Sequence, residues 1–135
     1  MTYLHSDAPI VCVNSSDSAP PAGHYSHVCS ANGLLHISGQ LPVTADGKAM
    51  TGRSFEEQAS QVLHNLDCCL AAAGSDRKHL VQVRVYVTDI GQWPLFNRLY
   101  AAWIGEHRPA RAVAGVASLH YGLEVEVEAI ALAAQ

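Results

Sequence analysis

The sequence predicts an α+β fold: a mixed, mainly antiparallel sheet with two helices packed on one face. Three stretches carry that reading. Leu123–Ile130 runs Leu-Glu-Val-Glu-Val-Glu-Ala-Ile, a period-2 pattern with one apolar and one charged face. Val81, Val83, Val85 and Val87 alternate with Gln82, Arg84, Tyr86 and Thr88 in the same way. By contrast, Ser54–Gly74 carries Phe55, Ala59, Val62, Leu63, Leu66 and Leu70 at helical spacing.

Taken in order, residues before Pro9 read as a loose leading segment, and Ile10–Val13 as a short edge strand. Asn14–Gly23, NSSDSAPPAG, is a loop by composition. Tyr25–Ala31 and Leu34–Ser38 flank Asn32-Gly33, a strong hairpin signal because both turn residues tolerate positive φ. Pro42–Gly52 is a second loop turning at Asp46-Gly47. Ser54 and Glu57 form a capping box, in which each side chain satisfies an exposed backbone N–H, and Gly74 supplies the stop. Gln92 to about Gly105 is the second helix, with Pro94 in its first turn and Trp93, Phe96, Leu99, Tyr100 and Trp103 as its apolar residues. Arg111–Leu119 and Leu123–Ile130 read as two strands joined by a tight turn at His120-Tyr121-Gly122.

Composition bounds the function. A chain of 135 residues with 49% hydrophobic residues is one domain, 1–135, with a real core. Only 15% of residues are charged, which leaves apolar surface for subunit contacts. The net charge of −4 and the lack of a Lys/Arg cluster argue against a nucleic-acid groove. No apolar run is long enough to span a bilayer, and the first residues lack the basic and apolar regions of a signal peptide, so a cytoplasmic location is expected. Cys12, Cys29, Cys68 and Cys69 show no C-x-x-C spacing, and adjacent Cys68 and Cys69 suit no mutual disulfide; reduced thiols are expected. The eight histidines complete no metal-ligand pattern with a carboxylate or cysteine, although His24 beside Tyr25 is placed to border a cleft. There is no Gly-rich phosphate loop and no G-x-S-x-G elbow, so neither a metal nor an organic cofactor is expected.

Arg111 is the residue that needs explaining. It is the only charge at the head of an apolar strand, and a desolvated guanidinium is costly unless paired. A carboxylate fits its planar fork with two parallel hydrogen bonds. The plainer alternative is a surface arginine or a subunit salt bridge. Glu124, Glu126 and Glu128 taken alone are the solvated face of a strand. Tyr25 reads as an aromatic at the core edge and Asn97 as a helix residue facing solvent. Gly39, after Ser38 at a strand end, lacks a Cβ and lets a ligand approach backbone groups.

Four segments in order change the balance: Ala22-Gly23-His24-Tyr25, Ile37-Ser38-Gly39-Gln40-Leu41-Pro42, Phe96-Asn97-Arg98-Leu99-Tyr100, and Pro109-Ala110-Arg111 followed by Glu124-Val125-Glu126-Val127-Glu128-Ala129. With the helices and strands between them, they resemble the RidA/YjgF family of reactive-intermediate (enamine/imine) deaminases from about Ala19 to Leu132. The resemblance implies a homotrimer forming a trimeric barrel, with ligand clefts between subunits. It also implies hydrolysis of 2-imino or 2-enamino acids to 2-keto acids and ammonia. In that family the residue matching Arg111 binds the substrate carboxylate, and the one matching Glu126 contacts the attacking water. Tyr25, Ser38, Gly39 and Asn97 match positions that shape the cleft. Val113 stands where many members have a cysteine, Gly115 where they have an acidic residue, and His120 where the strand often ends in Leu-Pro. Those three differences bear on substrate preference. A small-carboxylate-binding protein without turnover is the alternative, and an endoribonuclease label carried by some relatives fits the charge poorly.

Overall fold

The computed structural model describes residues 9–134, so the leading segment before Pro9 lies outside the described residues. The strands are β1 (Val11–Val13), β2 (Val28–Ala31), β3 (Leu34–Gln40), β4 (Leu80–Val87), β5 (Ala110–Gly115) and β6 (Val125–Leu132). The helices are α1 (Phe55–Ala72) and α2 (Trp93–Ile104), with single 3₁₀ turns at Arg77–His79, Ile90–Gln92 and His120–Gly122. All six strands form one mixed sheet in the order β1-β2-β3-β6-β4-β5, antiparallel except for the parallel β4/β5 pair.

Local chemistry sets the element ends. Asn32 and Gly33 both take positive φ (52° and 81°), which closes the β2/β3 hairpin with a tight two-residue turn. The Ser54 side chain accepts from the Glu57 N–H while the Glu57 carboxylate accepts from the Ser54 N–H, so the capping box starts α1 as expected. Gly74, with φ 75°, ends it: its N–H donates to Ala71 and that of Ser75 to Leu70.

One expectation is overturned. The last two strands are not a hairpin: β5 lies at the sheet edge parallel to β4, and β6 sits between β3 and β4. The cause is α2. It crosses over the sheet between β4 and β5 and buries Phe96, Tyr100 and Ile104, so β5 returns in the direction of β4 on its outer side. The chain then continues through Val116–Glu124, not through a tight turn at His120–Gly122 alone, and Val116–Leu119 is not strand. A β-bulge between Ile37 and Gln40 interrupts the β3/β6 ladder near Gly39.

Both helices pack on one face of the sheet. There Leu35, Ile37, Val83, Val85, Val87, Val125, Val127 and Ala129 meet Ala59, Val62, Leu66, Leu70 and Phe96 in one core. Each large side chain so buried contributes about 1.5–3 kcal/mol. Two polar side chains are buried in α1 as well. Gln58 donates to the Arg53 carbonyl and the Glu124 carboxylate, and accepts from the Glu124 N–H; Asn65 donates to the carbonyls of Leu41 and Val43. These bonds fix the loop after β3 and the start of β6 to α1. The opposite face carries Arg84, Tyr86, Glu126 and Glu128, because cross-strand partners share a face and Glu126 opposes Tyr86 while Glu128 opposes Arg84.

Candidate active site

Two clusters contain the residues singled out from the sequence, and the sheet separates them. The first surrounds Arg111. Its register partner is Val83, so Arg111 and, two residues on, Val113 project on the helix-covered face. Arg111 Nη1 donates to Asn97 Oδ1 at 2.8 Å, and the guanidinium carbon lies 5.0 Å from the Tyr100 ring centroid. Asn97 is therefore not a solvent-facing helix residue: α2 aims its amide oxygen at the arginine. Tyr100 is buried with its hydroxyl unpartnered. Among the described residues no carboxylate forms an ion pair with Arg111, so its charge is braced but not neutralised. Val113 is half-buried and packs against the core.

The second cluster surrounds Glu126. A cavity of about 520 Å³ is walled by Ser18, Tyr25, Ser38, Gly39, His120 and Glu126, with His27, Gln40 and Asn65 deeper in its lining. Gly39 is needed here for space: a Cβ would lie 2.3 Å from Glu126 Oε2. Burial pushes the Glu126 carboxyl above the usual 4.5; His120 opposes that shift and Glu128 adds to it. A carboxyl raised in this way is a better proton acceptor near neutral pH than an exposed one. Ser38 Oγ donates to the Ser26 carbonyl at 2.7 Å, and the half-exposed Tyr25 takes an N–H from Ala22 on its hydroxyl at 3.4 Å.

Three residues passed over as chemistry in the sequence organise this cavity. His27 is buried and holds the Asn14–Gly23 loop: its Nδ1 accepts from the Ser15 N–H at 3.0 Å, its N–H donates to Asn14 Oδ1 at 2.9 Å, and its carbonyl accepts from the Ser38 N–H at 2.9 Å. Burial lowers its pKa, in keeping with an Nδ1 that must stay unprotonated to accept. His120 rides on a 3₁₀ turn that Thr51 braces by donating to the Tyr121 carbonyl at 2.7 Å. Ser18 Oγ is buried without a partner at the cavity wall. No local signal marks Ser18 or His27, since their roles depend on loop packing. His120 was visible only as a departure from the family pattern.

The flanking glutamates are more than a solvated face. Glu124 is bonded to Gln58 on both its backbone and its side chain. Glu128 accepts from the Tyr86 hydroxyl and lies 3.7 Å from Arg84, and the Glu128 bond raises the Tyr86 pKa. Neither is therefore free to act as a base. Glu126 is the glutamate left facing the cavity. It opposes Tyr86 and projects on the face opposite to Arg111. With β4 between their strands and three residues of offset, their Cα atoms are roughly 14 Å apart. One small ligand cannot touch both within one chain. Among the described residues, no group of three or more His, Cys, Asp or Glu side chains is placed to hold a metal ion. No helix among them is long and apolar enough to cross a membrane.

Comparison with known proteins agrees with this architecture. A family model described as Endoribonuclease L-PSP matches residues 16–133. The chain is 40% identical to Protein HMF1 of Saccharomyces cerevisiae over 124 residues, covering 91% of this chain and 92% of that one. It is 33% identical over 120 residues, 88% of this chain and 64% of the relative, to Reactive Intermediate Deaminase A, chloroplastic, of Arabidopsis thaliana. The crystal structure of yeast Mmf1 superimposes with a TM-score of 0.89 at 36% identity, covering 93% of this chain and 100% of that chain. With matches of this extent, the chain belongs to the RidA/YjgF family, which also bears the description Endoribonuclease L-PSP.

Proposed function

We propose that this protein hydrolyses reactive 2-imino and 2-enamino acids to 2-keto acids and ammonia, in clefts formed between copies of the chain. The observation that carries this reading is Arg111: a half-buried guanidinium, braced by Asn97 and unneutralised by any described carboxylate. Such a fork favours a small carboxylate ligand, holding it with two parallel hydrogen bonds and fixing its orientation. Glu126, raised by burial, supplies the base.

Because the two residues face opposite sides of the sheet, the reading pairs Arg111 of one copy with Glu126 of a neighbour, in a homotrimer. Glu126 accepts a proton from water as the water oxygen bonds to C2 of the imine. The C2–N π pair moves to nitrogen, which takes up a proton, giving a carbinolamine. The nitrogen is then protonated a second time, the C2–N bond breaks, and ammonia leaves as the C2 hydroxyl gives up its proton to form the ketone. Glu126 cycles its proton and is unchanged at the end. Imines hydrolyse in water unaided, so orientation and a placed base suffice as catalysis. A relative bearing the name Reactive Intermediate Deaminase A supports the assignment.

The test couples a serine/threonine dehydratase, which generates 2-iminobutyrate or 2-iminopropionate, to semicarbazide trapping. Wild-type protein should suppress semicarbazone formation and Arg111→Ala should not. Failure of both, with each folded and oligomeric, would remove these substrates. A second reading, a small-carboxylate binder without turnover, is favoured by one feature: Arg111, Asn97 and Tyr100 are assembled within a single chain, without Glu126. Unchanged suppression of semicarbazone by Glu126→Gln would mean that Glu126 supplies no base. Carboxylate binding without any suppression by the wild type would establish the binder. The endoribonuclease reading is not favoured by a chain of net charge −4.

A further inference from the structure

Cysteines that look unrelated in sequence meet across the sheet edge. In the β1/β2 ladder Cys12 is the direct register partner of Cys29, and their Sγ atoms are 2.9 Å apart. Directly opposed antiparallel residues have Cα atoms about 4.5–5.5 Å apart, inside the range a disulfide spans. A sulfur displacement of about 1 Å closes the gap to a covalent bond. Cys12 is exposed and Cys29 half-buried. Cys68 and Cys69 are buried in α1, and burial pushes the Cys69 thiol up to about 12.

We propose that Cys12 and Cys29 are a reversible thiol-oxidation site, forming a cross-strand disulfide that staples the two ends of the loop walling the Glu126 cavity. The oxidant is a low-molecular-weight disulfide of the glutathione class. The exposed Cys12 thiolate attacks one sulfur of that disulfide; its S–S bond breaks and one thiolate leaves, giving a mixed disulfide on Cys12. Cys29, as thiolate, then attacks the Cys12 sulfur and expels the second small thiolate. Two protein thiols are oxidised, one small disulfide is reduced to two thiols, and the two protons pass to the departing thiolates.

The bond would matter because of what it encloses. Residues 13–28 lie between the two cysteines, and this span contains Ser18 and Tyr25 of the cavity wall and the His27 hub. β1 is a three-residue edge strand held by β2 alone, so it is among the parts of the fold that open most readily. A covalent link restricts that open state and keeps the loop against His27. The proposal stands on the cysteine geometry and does not depend on the deaminase reading.

The test incubates the full chain with glutathione disulfide, quenches it in acid, and alkylates it under denaturing conditions for intact-mass and peptide analysis. Of the four cysteines, two should resist alkylation in a monomeric-mass species. The Cys12 and Cys29 peptides should be linked, and dithiothreitol should restore both thiols. Cys29→Ser should stop at a glutathione adduct on Cys12. A wild-type protein that keeps four alkylatable thiols, retains the adduct, or links between chains would overturn the proposal. Limited proteolysis within residues 14–23 tests the consequence: cleavage of the oxidised protein should slow by on the order of tenfold. Equal rates would overturn the stapling role.

Discussion

The two faces of the sheet use charge in opposite ways. On the helix-covered face, a positive group is brought to the margin of the core, braced by Asn97 and Tyr100, and left without a counterion among the described residues. On the other face, β6 presents Glu126 and Glu128, and Glu128 is occupied by Tyr86 and Arg84. Only Glu126 is left facing a cavity, half-buried and raised in pKa. An unmatched cation on one face and an unmatched carboxyl on the other make sense if a second copy brings the faces together around a small anion. Within one chain, neither face brings the guanidinium and the free carboxyl together.

Several substitutions would break or sharpen that contrast. The largest effect is expected from Arg111→Ala, which removes the carboxylate anchor: imine-hydrolysis kcat/KM should fall on the order of 100-fold or more. Stability should move little, because no described carboxylate is left stranded. Arg111→Lys, which keeps charge but not the fork, should rescue only a small part in the coupled assay.

Gly39→Ala strikes the Glu126 cavity without replacing a titratable residue. Its Cβ would come 2.3 Å from Glu126 Oε2, so the carboxylate must swing aside. Steady-state kinetics should show roughly a tenfold loss in kcat, since a misplaced base loses most of its advantage. KM should change less, because the anchor is untouched. A loss confined to KM would mean that Gly39 serves binding and not the base.

Glu126→Gln separates function from stability. Because the folded carboxyl has a raised pKa, the folded state binds its proton more readily than the unfolded chain. Its contribution to stability is therefore present below the unfolded value near 4.5 and lost as pH rises through the raised folded value. The amide should leave the protein at least as stable as wild type at pH 7 in urea melts, with hydrolysis largely abolished. His27 has the opposite sign. Its pKa is lowered from 6.5 by burial, so the stability it contributes is present above 6.5 and lost as pH falls through that lowered value. His27→Gln should flatten this acid limb in stability measurements across pH 4–7. The smallest change is a control: Ser54→Ala should cost about 1 kcal/mol through the lost cap and leave kinetics unchanged.

Features that depend on neighbours in sequence were legible there. The Asn32-Gly33 turn and the Ser54/Glu57 box needed only a few residues, and alternation gave the buried face of β6 and of Val83, Val85 and Val87 in β4; a register shift between Leu80 and Gln82 leaves Val81 exposed and Leu80 buried instead. Strand order was not legible. Nothing in Leu123–Ile130 states that β6 inserts between β3 and β4. Without that order, the faces of Arg111 and Glu126 could not be compared until β4 was placed between them. The candidate residues came from the family resemblance, but their supports did not. Gln58 meets Glu124 across 66 residues, and Cys12 meets Cys29 across 17. The meeting of such distant residues is a property of packing, which periodicity does not encode.

The central claim, that one working site needs Arg111 and Glu126 from different copies, is tested most directly by subunit mixing. Arg111→Ala and Glu126→Gln proteins, each inactive alone, are unfolded together in equal amounts and reassembled. If each site spans a head-to-tail interface in a closed ring, mixed oligomers should regain about one quarter of wild-type activity. Reassembled oligomers that contain both variants, verified by mass, yet stay as inactive as their parents would contradict the account.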